Sequence, residues 1–388
     1  MAKEKNTKSN SKHVEVETNV ERDDLALLLQ KALNKSNKDG SKSSFFLDED
    51  NPSEITEWVS TGSDLLDLAI SNRPHGGIPV GRISEMSGLQ GTGKSLICAH
   101  LIRETQKKGG LAVYFDSEFA VDREFWKSFG VNVGAANYNT FVTLEELFTK
   151  IEICIGEFRK ANKDKILTIL VDSIAGASVE TEIESEHGVT GYNTSKSLIL
   201  GKALRKITGL IAQQKICIIF TNQLRTVLNA GPFQEKFTTP CGMALPFASS
   251  VRLRLAGMGK IKKGDEIIGM NAKASVIKTR CGPNFRSAEF EIHYDSGIQN
   301  LSSWLEFAKT RGIITGTAAK YTWKREGGDE LQFNTAKFVE LMNSDEKLKE
   351  EFYQQICKVW IMSYREASSK IIEDTETVTE EENSAPLE

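Results

Sequence analysis

The sequence predicts an α/β protein in which a mostly parallel β-sheet is flanked by helices, with a helical arm before it and a small α+β domain after it. Three observations predict this architecture. Strand-like apolar runs alternate with helix-like runs through the middle of the chain, a pattern typical of parallel sheets covered on both faces. A glycine-rich loop joins one such strand to one such helix. After Gly297 the pattern changes to helices around a short hairpin.

Composition limits the functions to consider. The 388 residues, 39% hydrophobic and 26% charged, are typical of a globular protein with one large domain and one or two small ones. The net charge of −4 gives no overall nucleic-acid signature, so any DNA contact must be local. The 6 cysteines include no Cys-x-x-Cys pair, which argues against a disulfide framework or a cysteine metal site and indicates a reducing compartment. No signal peptide or membrane-spanning run is recognisable, so we expect a cytoplasmic protein with no membrane partner.

The chain divides into five predicted segments. The second contains a helix that begins near Asp23 and carries four leucines on one face, at positions 25, 28, 29 and 33. Because an isolated helix of this length is marginal in water, this face must dock on the main domain or on another copy, and the flexible stretch that follows favours another copy. The segments are a disordered N-terminus (1–21), an oligomerisation helix with its linker (22–50), the sheet domain (51–298), a small C-terminal domain (299–370) and an acidic disordered tail (371–388).

The predicted elements follow from apolar periodicity. The last three strands of the sheet domain lack intervening helices, so we expect hairpins that extend the sheet edge. In the C-terminal segment, two short runs that bracket Gly327 and Gly328 predict another hairpin. The predicted strands are 82–87, 111–116, 166–172, 216–221, 251–256, 274–279, 288–294, 321–323 and 331–333. The predicted helices are 23–33, 65–70, 96–102, 123–129, 144–159, 197–213, 302–311, 335–343 and 346–363.

The glycine-rich loop predicts a phosphate site. Its backbone can bend so that successive N–H groups point at a β-phosphate, Lys94 can reach the β- and γ-phosphates, and the Ser95 hydroxyl can ligate Mg²⁺. The helix that follows adds a partial positive charge at its N-terminus. A chance match in a glycine-bearing turn is the alternative, and the strand before the loop and the helix after it argue against that. The loop consists of Gly88, Leu89, Gln90, Gly91, Thr92, Gly93, Lys94 and Ser95.

Two carboxylates follow strands of the predicted sheet. Asp172 ends the apolar strand 166–172 and is placed to hold Mg²⁺ through water, the alternative being a helix cap. Glu118 follows strand 111–116, at the edge where open α/β sheets bind ligands. It is therefore the candidate base that orients water in line with a γ-phosphate. On these residues alone, a simple surface turn explains Glu118 equally well.

An amide and a long loop follow a third strand. The strand 216–221 leads into Asn222 and Gln223, and an amide there can reach a γ-phosphate and report ATP versus ADP to the loop 226–242. A loop of this length inside a domain is usually functional. Its basic and aromatic residues suit single-stranded nucleic acid, whereas an ordinary flexible loop is the alternative.

In their order and spacing these motifs resemble those of the RecA-type homologous recombinases over residues 55–345, and we expect a bacteriophage member. The resemblance implies a RecA-like P-loop ATPase core that uses ATP and Mg²⁺. It implies a helical homo-oligomeric filament on single-stranded DNA, with ATP between protomers, that exchanges strands with homologous duplex DNA in recombination and repair. A single-strand-binding protein and a loading mediator are implied partners, in the cytoplasm of a bacterium or a phage-infected host. The segments that carry the resemblance are 60–63, 66–67, 76–82, 88–95, 116–118, 171–173, 222–225 and 250–253.

The resemblance assigns roles around the phosphates residue by residue. Lys94 and Ser95 match the contacts to the triphosphate and to Mg²⁺. Glu118 matches the catalytic glutamate, Asp172 the aspartate associated with Mg²⁺, and Gln223 the sensor of the γ-phosphate.

Four further positions carry over from the family. Asp122 and Phe125 match residues that contact adenine. Lys278 and Arg280 lie where the bacterial family supplies two lysines across the protomer interface to the neighbour's ATP. The second is arginine here, which keeps the charge but presents a different donor geometry. From the residues alone, a solvated basic face on a strand is the alternative.

The family's two DNA-binding loops correspond to residues 184–196 and 226–242. Both depart from the family's sequence pattern, and the first lacks a dense basic cluster. The N-terminal helix resembles an arm that packs on the adjacent protomer. The acidic tail resembles tails that restrain access of duplex DNA, with a solubilising role as the alternative. The candidate DNA contacts are Lys196, Arg225, Phe233, Lys236 and Phe237.

Two rival classes share part of the pattern. A hexameric DNA helicase with the same fold would share the phosphate loop and Asp172, but would carry a ring linker and a primase- or initiator-binding domain. A DNA-binding filament protein could use ATP only as an assembly ligand. An intact Glu118 argues for turnover instead.

Overall fold

The computed structural model describes residues 23–37, 42–47, 49, 54–162, 164–183, 192–212, 214–227, 237–240 and 242–362. The chain forms two compact units that divide between Glu54 and Ile55. The predictions for residues 1–21 and for the acidic tail 371–388 lie outside the described residues. No helix in the described part of the chain is long and apolar enough to cross a membrane.

The helices and strands are numbered in chain order. The helices are α1 (Asp24–Lys35), α2 (Asp64–Ser71), α3 (Lys94–Lys107), α4 (Arg123–Ser128), α5 (Leu144–Ala161), α6 (Glu180–Ile183), α7 (Tyr192–Ile211), α8 (Ala244–Ala248), α9 (Asn300–Thr310), α10 (Thr335–Ser344) and α11 (Glu346–Trp360). The strands are β1 (Trp58–Val59), β2 (Ile78–Pro79), β3 (Ile83–Gly88), β4 (Leu111–Asp116), β5 (Ala136–Thr140), β6 (Leu167–Asp172), β7 (Ile216–Gln223), β8 (Arg225–Thr226), β9 (Phe237–Thr238), β10 (Val251–Lys263), β11 (Glu266–Thr279), β12 (Ser287–His293), β13 (Gly297–Gln299), β14 (Ile314–Thr317), β15 (Lys320–Lys324) and β16 (Glu330–Phe333).

The first unit contains the predicted N-terminal helix. The Asp23 carboxylate accepts a 2.7 Å hydrogen bond from the Leu25 backbone N–H and so caps α1. Every residue of α1 is at least partly exposed within this unit. The four leucines of the predicted face are all more than half exposed: Leu25, Leu28, Leu29 and Leu33.

The second unit is built on a nine-stranded sheet with the order β13-β12-β11-β10-β3-β7-β6-β4-β5. The six strands from β10 to β5 pair in parallel. From β10 to β13 the pairing is antiparallel, which confirms the predicted hairpins at the sheet edge. The β10–β11 hairpin is longer than predicted, since β10 continues to Lys263.

Apolar side chains cover both faces of the parallel strands. In β6, Leu170 belongs to the cluster that includes Ile97 and Leu101 of α3. Its neighbours Ile169 and Val171 belong to the opposite cluster, with α5 and α7. This alternation follows from the two-residue period of a strand. The polar residues at the carboxyl ends of these buried parallel strands therefore lie side by side at one end of the strands.

The C-terminal elements surround a three-stranded antiparallel sheet, β14-β15-β16. Tyr321 stands opposite Phe333 across the predicted hairpin, which is confirmed. Trp323 is fully buried, and its ring centroid lies 4.9 Å from that of Phe352. Trp304 and the other buried C-terminal side chains join the apolar cluster of the sheet domain without a break. A separate domain from residue 299 onward stays a prediction.

Candidate nucleotide-binding site

The phosphate loop connects β3 to α3 as the sequence predicts. Gly91 and Gly93 have φ angles of 72° and 90°, in the left-handed region that favours glycine. A Cβ atom on Gly88 would lie 2.5 Å from the Thr92 Oγ1 atom, whereas one on Gly91 would meet no atom within 4 Å. The loop is thus tight on its inner side and open at Gly91, where a phosphate would approach the backbone. Leu89 and Gln90 are exposed beside it.

Lys94 opens α3 with its side chain folded onto the loop. Its Nζ donates hydrogen bonds to the carbonyls of Gly88 and Leu89, at 3.2 and 2.9 Å. Burial lowers the pKa of Lys94, and the charges of Asp172 and Glu118 oppose this shift. The ammonium therefore lies against the loop, close to two carboxylates.

Ser95 and Asp172 meet at the start of α3. The Ser95 Oγ donates a 2.6 Å hydrogen bond to Asp172 Oδ2. The same oxygen accepts the Tyr114 hydroxyl at 2.8 Å, and Oδ1 accepts the Thr221 hydroxyl at 2.5 Å. These donors fix a carboxylate that is 7% exposed.

This pair fits Mg²⁺. A hydroxyl and a carboxylate are the hard oxygen ligands that Mg²⁺ prefers, and the ion usually completes its shell with water and substrate phosphates. The described residues contain no group of three or more His, Cys, Asp and Glu side chains that could bind a metal by itself. Ser95 and Asp172 would hold Mg²⁺ together with phosphate oxygens and water, as is usual for this ion.

Glu118 lies in a tight turn after β4. Its carboxylate Oε1 accepts hydrogen bonds from the Ser173 hydroxyl at 3.0 Å and from the Gln223 side-chain amide at 2.7 Å. Gln223 ends β7 opposite Gly88, the first residue of the phosphate loop. The structure thus brings the predicted base and the predicted γ-phosphate sensor into direct contact beside the loop.

The predicted adenine contacts lie at the start of α4. The Asp122 carboxylate accepts hydrogen bonds from the backbone N–H groups of Glu124 and Phe125, at 2.9 and 3.0 Å, and caps the helix. The Phe125 ring is 37% exposed and packs edge-on against Phe129. A partly exposed aromatic ring at this position can accept a base by stacking.

Lys278 and Arg280 lie at the other end of the strands. Lys278 pairs with Arg252, which pairs with Glu85, three residues before Gly88. At about 3.3 Å per strand residue, Lys278 sits roughly 10 Å along the sheet from its own phosphate loop. Its Nζ donates to the carbonyls of Pro246 and Phe247 in α8, at 2.9 and 3.3 Å. Burial and the charges of Arg280 and Arg252 lower its pKa.

The described part of the candidate DNA interface contains three of the five predicted residues. Lys196 is half-buried in α7 and donates to the carbonyl of Ala177. Arg225 is exposed in β8, which pairs with β9 and its residue Phe237. Phe233 and Lys236 lie outside the described residues, as do residues 184–191 of the first loop.

Several residues to which the sequence assigned no role also shape this site. Asp116 is 2% exposed, and its carboxylate holds the turn that carries Glu118. Ser173, Tyr114 and Thr221 donate to the predicted carboxylates. These three residues lie at or near the carboxyl ends of β4, β6 and β7, close to the two carboxylates. The position of each residue near a strand end is the sequence signal that could have identified it. The buried Glu85 also forms a 2.6 Å ion pair with Arg252 and accepts from Asn222.

The fold and site define a class, that of P-loop nucleotide-binding proteins with a carboxylate and an amide beside the phosphate loop, at the carboxyl ends of the parallel strands. The family model of the RecA N-terminal domain matches residues 27–299. Protein RecA of Heliobacterium modesticaldum is 33% identical over 329 residues, which are 84% of this chain and 91% of that protein. Protein RecA of Allochromatium vinosum is 37% identical over 267 residues, 69% of this chain and 74% of that protein. Protein RecA of Aquifex aeolicus is 34% identical over 299 residues, which are 76% of this chain and 84% of that protein.

The chain therefore belongs to the RecA family of homologous recombinases. Members of this class are DNA-dependent ATPases that pair homologous DNA and exchange strands. The predicted resemblance to RecA-type recombinases and the predicted fold class are confirmed, whereas membership of a bacteriophage group stays a prediction.

Proposed function

We propose that this recombinase hydrolyses ATP at the loop of residues 88–95 while it is assembled as a helical filament on single-stranded DNA. The observation that carries the proposal is the direct contact between Glu118 and Gln223 beside Lys94 and the Ser95–Asp172 pair. A water-orienting carboxylate, a phosphate-binding cation, an Mg²⁺ site and an amide sensor are the parts that phosphoryl transfer to water requires.

The residues would divide the work in the following way. The loop N–H groups and Lys94 bind the phosphates, while Ser95 and Asp172 hold Mg²⁺, which neutralises charge on the phosphate oxygens. Glu118 orients the attacking water and accepts its proton. Asp122 and Phe125 bind the adenine. Ser173 and Gln223 hold Glu118 in place until ATP engages the amide of Gln223.

Lys278 and Arg280 are proposed to act on the ATP of a neighbouring protomer. The strand register supports this proposal, because both residues lie at the end of the sheet remote from their own phosphate loop. A cation delivered across an interface stabilises the charge that develops on the transferring phosphate. Hydrolysis would then depend on filament assembly.

Gln223 is proposed to couple nucleotide state to DNA affinity. It ends β7, and Arg225 of β8 follows only two residues later. A shift of the Gln223 amide toward a γ-phosphate would therefore act on Arg225 and on the loop 226–242 that follows it, which contains Phe233, Lys236 and Phe237. Lys196 contributes from the other DNA loop. Strand exchange with homologous duplex DNA is supported by membership of the RecA family.

Further proposals concern assembly and partners. The exposed leucines of α1 suit packing on a second copy, because an apolar helix face gains stability when it is buried. A single-strand-binding protein and a loading mediator are proposed as partners on DNA. The acidic tail, residues 371–388, is proposed to restrain access of duplex DNA.

The test combines ATP hydrolysis, with and without single-stranded DNA, and electron microscopy of the same mixtures. We expect DNA to stimulate hydrolysis and open helical filaments to form. The Glu118→Gln variant should bind ATP and DNA normally but hydrolyse at least about 100-fold more slowly. Closed rings would indicate a helicase. Filaments without turnover in the unmodified protein would mean that ATP is only an assembly ligand.

A further inference from the structure

Three backbone N–H groups of the turn that carries Glu118 donate to one buried carboxylate, that of Asp116. Oδ1 of Asp116 accepts the backbone N–H groups of Glu118 and Phe119, at 2.8 and 3.0 Å, and Oδ2 accepts that of Ala120 at 2.9 Å. Phe119 has a φ angle of 55°, in a region that a bulky side chain seldom adopts unless its surroundings impose it. Asp116 therefore fixes the backbone of Glu118, while Ser173 and Gln223 bind its carboxylate.

Tyr138 supplies the fourth hydrogen bond to Asp116. Its hydroxyl donates to Oδ2 at 3.0 Å from the edge strand β5. Burial and this bond raise the pKa of Tyr138, so the hydroxyl stays protonated and remains a donor at neutral pH. Because Asp116 has no other side-chain donor among the described residues' hydrogen bonds, Tyr138 alone ties this carboxylate to another strand.

The ring of Tyr138 also fixes the position of its hydroxyl. It stacks on Tyr114, with ring centroids 6.4 Å apart and planes 20° apart, and Tyr114 packs edge-on against Trp126 at 4.7 Å. Tyr114 and Tyr138 stand opposite each other across the β4–β5 ladder. The ladder and the stack hold the hydroxyl at Asp116 although the Tyr138 side chain is 47% exposed.

We propose that Tyr138 is a positioning residue for ATP hydrolysis, which holds Glu118 in its working orientation through Asp116. The inference rests on the proposed role of Glu118. No hydrogen bond or ring contact among the described residues joins Tyr138 to the phosphate loop or to the Ser95–Asp172 pair, so we expect it to act on the hydrolytic step and not on phosphate binding.

The test is the Tyr138→Phe variant, which removes the hydroxyl and keeps the stacked ring. We expect kcat in the presence of single-stranded DNA to fall about fivefold, the loss typical of one hydrogen bond. The KM for ATP and the melting temperature should stay unchanged. An unchanged kcat, or a rise in KM with kcat unchanged, would overturn the proposal. So would a loss of rate that disappears at high protein concentration, because it would indicate a role in assembly only.

A double variant separates positioning from a structural effect. If Tyr138 acts through Glu118, adding Tyr138→Phe to Glu118→Gln should cause no further loss of single-turnover rate, because the group being positioned is gone. An equal loss in both backgrounds would refute the proposal. A Glu118→Gln variant with normal turnover would refute the proposed function itself, and this inference with it. An inactive Glu118→Gln variant beside a fully active Tyr138→Phe variant would refute the inference alone.

Tyr114→Phe provides a matched comparison. It removes the same hydroxyl from the stacked neighbour, but that hydroxyl donates to Asp172. We expect this variant to require more Mg²⁺, whereas Tyr138→Phe should show an unchanged Mg²⁺ requirement. Equal Mg²⁺ shifts in both variants would contradict a role specific to Glu118.

Discussion

The side-chain amide of Gln223 donates a 2.7 Å hydrogen bond to Oε1 of Glu118. The two residues are 105 positions apart and meet because β7 and β4 end at the same edge of the sheet. The Gln223 amide nitrogen carries two hydrogens, so it has a second donor for a γ-phosphate beside the one that binds Glu118. Under the proposed roles of the two residues, this contact would link recognition of ATP to the position of the carboxylate that orients water.

The first prediction concerns this contact. Gln223→Ala should bind ATP but lose the difference in single-stranded DNA affinity between a non-hydrolysable ATP analogue and ADP. Its kcat should fall about tenfold, since Glu118 loses a donor and the γ-phosphate loses its sensor. DNA affinity is measured by fluorescence anisotropy in each nucleotide. The control is Gln106→Ala, which removes an exposed amide bound to the Asn132 carbonyl. A persistent nucleotide effect on DNA affinity would contradict the coupling role of Gln223.

The second prediction concerns Mg²⁺. Ser95→Ala should leave Asp172 with its donors Tyr114 and Thr221, so the fold should be retained. The Mg²⁺ concentration for half-maximal ATPase should rise about 10- to 100-fold, the usual cost of altering the groups around a metal. A Mg²⁺ titration of the hydrolysis rate measures the change. Thr149→Ala, which removes an exposed hydroxyl from α5, should leave the titration unchanged. An unaltered requirement in Ser95→Ala would exclude this residue as a ligand.

The elements nearest the phosphate loop were predictable from sequence because their signals are local. The β3–loop–α3 unit is one contiguous motif, and β6 is a fully buried run that ends in Asp172. β5 was missed because its sequence, Ala-Asn-Tyr-Asn-Thr, is polar. An edge strand that is partly exposed does not need an apolar pattern.

The contacts within the site were less predictable because they depend on strand register. Tyr114 meets Asp172 from 58 positions away, and Tyr138 meets Asp116 across the β4–β5 ladder. Nothing in the local sequence around either tyrosine indicates its partner. The partner can be identified only when the strand order is known, because residues at the ends of neighbouring parallel strands lie side by side.

The third prediction concerns acid stability and His100. This side chain is fully buried, and its Nε2 accepts a 3.1 Å hydrogen bond from the Ile298 backbone N–H. Burial, with smaller effects of Arg103 and Lys107, lowers its pKa to about 3. Between about pH 6.5 and 3 the unfolded chain therefore binds a proton that the folded protein does not, and the stability due to a neutral His100 is lost as pH falls.

His100→Gln should remove this dependence while keeping an acceptor for Ile298. The free energy of unfolding, from urea titrations at several pH values, should fall less steeply below pH 6.5, by up to about 1.4 kcal/mol per pH unit. Burial raises the pKa of Asp64 to about 6 and of Asp67 to about 8, so their contributions run in the opposite direction and decrease as pH rises. They are common to both proteins and cancel in the comparison. Equal slopes would show that His100 does not stay neutral in the folded state.

The last prediction tests whether Lys278 and Arg280 act on a neighbour. Lys94→Ala and the double variant Lys278→Ala, Arg280→Ala should each lose ATPase activity when assayed alone. In a mixture, some interfaces join the two variants so that the double variant supplies a phosphate loop with Lys94 and the Lys94→Ala variant supplies Lys278 and Arg280. Those interfaces are complete, because head-to-tail assembly places different surfaces of the two protomers together.

Activity should therefore return when the two inactive proteins are mixed on single-stranded DNA. A mixture of Lys94→Ala with Glu118→Gln is the control. Both residues belong to one protomer's own site, where the Glu118 charge acts on the Lys94 ammonium, so every site in that mixture remains defective. Co-assembly of the variants is checked by electron microscopy. If mixed filaments form in the first mixture but hydrolysis does not return, Lys278 and Arg280 serve their own protomer. That result would contradict the argument from strand register, which places Lys278 about three strand residues, roughly 10 Å, from its own phosphate loop.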